Sequence, residues 1–245
     1  MPGGRWWSLP PMNRRSSVLP ANSAGLVAKT FAVYAKDIRI EFRNRYATSV
    51  VLMFAVTTLA MISFSVGQAS LDPQLLAALF WIALFFSAMA GLSAVFVREE
   101  ESGTALTLRL KADPTAVFLG KLLFNFTLLA LVTIVLTPLF FVMTDASTGQ
   151  IWAFILVLLL GVIGLCSATT LIGAIIARAA FRGALFSVLS FPILIILLLM
   201  LVTATTRALA EQPIGEMLME LQGLVAYAVV MLTGSLLLFR FVWRE

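Results

Sequence analysis

The chain has 245 residues, 61% of them hydrophobic and 12% charged, with 17 Lys and Arg against 12 Asp and Glu. Soluble domains use roughly 45–50% apolar residues, so this composition points to a bilayer, and the net charge of +5 reads as a cytoplasmic-loop bias rather than nucleic-acid affinity. One cysteine and no histidine exclude an internal disulfide framework, a cysteine metal cluster, and imidazole as base, metal ligand or haem ligand.

Residues 1–25 mix Arg5, Arg14 and Arg15 with Pro, Gly, Ser and Asn. No apolar segment of 7–15 residues follows these charges, so they do not form a secretory signal. Trp6-Trp7 reads either as an aromatic platform or as part of a disordered or membrane-surface tail.

From Leu26 to Tyr46 the pattern is helical. Phe31, Ala35, Ile38 and Phe42 form an apolar face, and Lys29, Lys36, Arg39 and Arg43 form a basic flank. Such a helix lies in the membrane interface with its cations at lipid phosphates. Alternatively it extends the first span into the cytoplasm.

Six apolar runs follow, near Ser49–Val66, Leu75–Val97, Val117–Met143, Ile151–Ala177, Ala184–Thr205 and Leu221–Val242. Each is long enough to cross a hydrocarbon core. Nothing alternates like a barrel strand, so the predicted fold is all-α, a polytopic membrane protein of six spans occupying 47–245. Every Lys and Arg but Arg207 falls in the N-terminal region, the connections after the second and fourth runs, or the C-terminus. That bias predicts both termini in the cytoplasm. Pro138 and Pro192 are expected to kink their helices. Gly161, Gly164, Ala168, Ile172 and Gly173 permit close helix approach, at a dimer interface or along an internal seam. Ile214, Met217, Leu218 and Leu221 predict a short helix after the fifth span, dipping into the outer leaflet or lying on the surface.

The span interiors hold almost no ionisable group, and Asn125 is the most polar residue of the third run. A catalytic or proton-coupled membrane protein needs such groups at depth. No G-x-x-x-x-G-K-[ST] occurs, so the chain carries no P-loop of its own, and no ring of charge or filter sequence marks a channel. The pattern suggests helices driven from outside the chain. No catalytic or metal-binding residues are assigned.

The charge that the spans lack is gathered in one connection: Arg98, Glu99, Glu100, Glu101, Ser102, Gly103 and Thr104, running on to Lys111-Ala112-Asp113-Pro114. Gly103 permits a tight break. Asp113 as cap and Pro114 in the first turn predict the start of the third span, with Gly120 and Lys121 still near the interface. Read from the residues alone, this connection is either a contact surface or a solvated loop that fixes topology.

Residues 98–104, 111–114 and Phe118-Leu-Gly-Lys-Leu-Leu-Phe-Asn125, with Lys36-Asp-Ile-Arg-Ile-Glu-Phe-Arg43 upstream, closely resemble the CcmB family. This is the haem exporter protein B family of c-type cytochrome maturation. More broadly, the E-x-E-S-G-T turn followed by Gly-Lys is similar to that of six-span permeases of ABC exporters. The resemblance runs from about Lys29 to the C-terminus. It implies a permease subunit in a bacterial inner membrane, working with a separate CcmA-like ATPase, CcmC- and CcmD-like membrane proteins, the haem chaperone CcmE, and a second copy of itself. It implies ATP on the partner ATPase and haem handled by the complex, with no cofactor bound directly by this chain. Residues 98–114 become the coupling loop, flanked by the interfacial helix with Lys36, Arg39 and Arg43. Two other readings stay open: export of another lipid-like substrate, and a membrane scaffold that transports nothing.

Overall fold

The computed structural model describes residues 25–66, 72–92, 113–176 and 182–244. The tail with Trp6-Trp7, the connection carrying Arg98 to Thr104 and on to Ala112, and the connection containing Arg178 lie outside the described residues.

Among the described residues seven α-helices follow in order: α1 (Leu26–Asn44), α2 (Tyr46–Val66), α3 (Pro73–Leu92), α4 (Pro114–Thr144), α5 (Ile151–Ile176), α6 (Arg182–Leu209) and α7 (Leu218–Arg244). A 3-10 turn, Ile214–Met217, precedes α7. Among the described residues there is no strand. Helices α3 to α7 are each long and apolar enough to cross a membrane, and α1 with α2, bent by 68°, qualifies as a sixth when taken together. The expected all-α, polytopic fold is therefore present. At 1.5 Å per residue, α2 is ~31 Å long, about the thickness of the hydrocarbon core.

The bend between α1 and α2 is made by one residue. Arg45 sits in the left-handed region at φ 51 and ψ 14, and its N–H returns to the Glu41 carbonyl. The expected helix through Tyr46 thus ends at Asn44. Its faces also divide differently. Phe31, Ala35 and Phe42 point away from the protein, as do Arg39 and Arg43, while Thr30, Val33, Asp37 and Glu41 are buried. A third, partly acidic face packs inward, against α4 above all.

The other helices alternate in direction. Ser63 on α2 donates to the Met143 carbonyl at the end of α4 at 2.9 Å, and Thr148 before α5 donates to the Ala208 carbonyl at the end of α6 at 3.1 Å. At the opposite end, Val33 of α1, Phe118 of α4, Ala174 of α5 and Phe239 of α7 share one small core. We call this the α1 end.

Helix α5 occupies the centre and packs on α3, α4, α6 and α7. Its small residues make that possible. A Cβ on Gly161 would enter the Trp81 ring and reach Leu201, and one on Gly164 would meet Leu197 at 3.0 Å. Ala168, Ile172 and Gly173 are buried on the same helix, so the stripe is an internal seam. Trp81 also donates its indole N–H to Thr205 Oγ1 at 2.7 Å, tying α3 to α6. Phe80, Phe140 and Phe154 fill the space beside it, with ring centroids 5.0 and 6.0 Å apart from Phe80.

Pro138 and Pro192 are both accommodated inside continuous helices. The short helix expected at Ile214, Met217, Leu218 and Leu221 takes the form of the 3-10 turn Ile214–Met217, which leads straight into α7. Met217 and Leu221 are buried, and Ile214 and Leu218 are exposed. Arg207 holds this entry by donating to the Glu216 carbonyl and pairing with Glu220 at 2.9 Å.

Candidate functional site

After the charged connection, the described residues resume at Asp113. Its extended backbone and side-chain acceptance of the Thr115 N–H at 2.9 Å start α4, with Pro114 in the first turn, where its missing N–H costs nothing. Ala116, Val117 and Phe118 follow, all fully buried. The base of α4 is therefore packed from its first turn, and whatever displaces residue 113 must displace its neighbours too.

Gly120 and Lys121 belong to that packing. A Cβ on Gly120 would lie 2.7 Å from Val33 Cβ and 3.0 Å from the Thr30 carbonyl oxygen, so α1 crosses α4 where only glycine leaves room. Lys121, expected near the membrane interface, is packed within the protein. It is fully buried, and its Nζ donates to Asp37 Oδ2 at 3.4 Å. The physical reason is the acidic face of α1, which covers Lys121 and supplies an opposite charge; a buried ammonium without one would be very costly.

Asp37 serves two cations, since Lys36 Nζ stands 3.2 Å from its other oxygen. One turn later, Glu41 Oε1 accepts the Thr48 N–H at 2.7 Å, satisfying one of the free donors at the start of α2. The two carboxylates of α1 thus grip different helices, Asp37 holding α4 and Glu41 holding α2. Neither was singled out from the sequence. The signal was present: Thr30, Val33, Asp37 and Glu41 form a helical stripe between the apolar and basic faces.

Beyond Lys121 on α4, Asn125 donates from Nδ2 to Thr170 Oγ1 of α5 at 2.8 Å, with both residues fully buried. Polar groups consequently run inward from α1 through α4 to α5. Arg39 and Arg43 take no part in this network and stay on the exposed flank. Glu99, Glu100, Glu101 and the rest of Arg98–Thr104 lie outside the described residues, so only their attachment point is fixed.

No cluster of three His, Cys, Asp or Glu able to hold a metal occurs among the described residues. What the site offers is a short, dense joint: the end of a charged connection, a capped helix start, and a covering helix pinned by an ion pair and a glycine contact.

Compared with individually characterised proteins, the chain has no match. A model of the CcmB protein family matches residues 28–236, from the first turn of α1 into α7. The match includes α1 and the whole joint. The chain belongs to the CcmB family, the ABC-type haem-exporter permeases of c-type cytochrome maturation.

Proposed function

We propose that this permease is driven by a separate CcmA-like ATPase seated on residues 98–114, and that the joint at the base of α4 carries the ATPase stroke into the bundle. One observation supports this above the others. The charged connection ends directly on a helix start that Gly120 and the Lys121–Asp37 pair lock to α1. A push on the connection therefore moves α1 and α4 together, and α5 and α7 with them through the shared core.

In this reading the α1 end faces the cytoplasm of a bacterial inner membrane. The cations support that orientation: Lys29, Lys36, Arg39, Arg43, Arg45 and Lys121 lie at the α1 end, whereas Arg207 at the other end stands among Asp145, Glu211, Glu216 and Glu220. Glu99, Glu100 and Glu101 meet basic groups of the ATPase, and Gly103 makes the turn. ATP stays on that partner. Haem passes through the wider complex, with CcmC- and CcmD-like membrane proteins and the chaperone CcmE. A chain without histidine leaves imidazole ligation of haem to those partners. A second copy completes the permease around an ATPase dimer.

The test is association. Glu99→Lys, Glu100→Lys and Glu101→Lys combined should abolish co-purification with the ATPase from mild detergent. Recovery of the ATPase at the wild-type level would remove the coupling role from this connection.

A further inference from the structure

The elbow between α1 and α2 does more than turn the chain. It opens a cavity of about 240 Å³ against α4. At its mouth stand Arg45, Thr48 and Ser49, the cation and hydroxyls of the bend. Its wall is Phe124, Leu128 and Leu131 of α4, which descend from the α1 end toward mid-bilayer over ~10 Å at 1.5 Å per residue. Phe42 and Leu131 are exposed, so the cavity opens on the outer surface of the bundle. The cavity thus joins a cation and hydroxyls at the bend to a mostly apolar wall that Thr127 interrupts, and these are the two kinds of surface an amphiphile needs.

We infer that this groove holds one anionic glycerophospholipid, with its phosphate at Arg45 and an acyl segment along Phe124, Leu128 and Leu131. Charge supports the sign of the head group. Arg45 is exposed at the mouth. Glu41 also borders the cavity, but its Oε1 is directed at the Thr48 N–H at the start of α2. The volume, below the roughly 300–1,000 Å³ of pockets that enclose a drug-sized ligand, admits an acyl segment with the rest of the lipid outside. Occupancy would brace the elbow, because the lipid touches α1, α2 and α4 at once. This site is independent of the ATPase reading and of which leaflet the α1 end occupies.

The experiment is native mass spectrometry of the full chain from mild detergent, supplied with dioleoyl phosphatidylglycerol or dioleoyl phosphatidylcholine. The wild type should retain one phosphatidylglycerol per chain in preference to phosphatidylcholine by about fivefold, the effect of one cation near an anionic group. Arg45→Asn removes the charge while keeping a side chain that tolerates the left-handed backbone, and it should erase the preference. Ser49→Phe, at an exposed position, should fill the mouth and reduce retention of both lipids. Arg39→Gln, outside the groove, should change neither. Equal retention of the two lipids by the wild type would overturn the inference. So would undiminished phosphatidylglycerol on either groove variant, or a loss with Arg39→Gln as large as with Arg45→Asn. None of these outcomes bears on association with an ATPase.

Discussion

Lys121 Nζ stands 3.4 Å from Asp37 Oδ2, with the lysine fully buried, and this contact joins two helices whose partners are 84 positions apart in the chain. Its position gives it weight. It lies two turns into α4, just after the charged connection, beneath a helix that the glycine contact presses flat. Removing one member of a buried pair typically costs ~3–5 kcal/mol, whereas replacing both by apolar groups is often neutral. Lys121→Met should therefore lower the thermal midpoint in detergent, with a loss near ~3 kcal/mol because Lys36 still neutralises Asp37. The double variant Asp37→Leu, Lys121→Met should recover most of that loss. Additive losses in the double variant would show that the two residues act separately.

The glycine contact makes a second prediction, with its own internal control. Gly120→Ala places a methyl group 2.7 Å from Val33 Cβ, and the overpacking should cost ~1–3 kcal/mol. Gly234 in α7 has open space where its Cβ would be. There, alanine should stabilise by up to ~1 kcal/mol, because glycine is a poor helix former. Thermal unfolding of the two variants should move in opposite directions.

A third prediction concerns the far side of the bundle. Trp81→Phe removes the indole donor to Thr205 and part of the ring that fills the notch at Gly161. Loss of the hydrogen bond alone should cost ~1 kcal/mol, with more for the void. Because Trp81 and Thr205 sit away from the α4 base, ATPase co-purification should be unchanged while the thermal midpoint falls.

The spans were legible because apolar runs of this length have few other uses. Predicted and observed limits agree closely for α5, read as Ile151–Ala177 and found as Ile151–Ile176. The start of α4 was legible for a different reason: Asp113 and Pro114 carry their own local chemistry, and the cap forms as that chemistry requires. The elbow was not legible, since neither glycine nor proline marks it; Arg45 takes a left-handed conformation that non-glycine residues seldom adopt. Nor was the inward face of α1. In Lys36-Asp37-Ile38-Arg39-Ile40-Glu41 the apolar face and basic flank of an interfacial helix dominate the pattern, and the two carboxylates between them go unmarked. Asp37 and Glu41 gain meaning only when Lys121 and Thr48 are brought beneath them by the tertiary fold. The same holds for the burial of Lys121, one residue after a glycine that lets α1 cover it.

The account rests finally on the three glutamates of the charged connection meeting basic groups on another protein. Such a contact weakens as salt shortens the Debye length from ~8 Å at 0.15 M ionic strength to ~3 Å at 1 M. The direct measurement is the dissociation constant between the ATPase and the permease in nanodiscs across that range of salt. It would be made for the wild type and for the triple variant Glu99→Gln, Glu100→Gln, Glu101→Gln. The account predicts that wild-type binding weakens steeply with salt, and that the variant binds more weakly with a flattened dependence. Identical affinity and slope for the two proteins would contradict it.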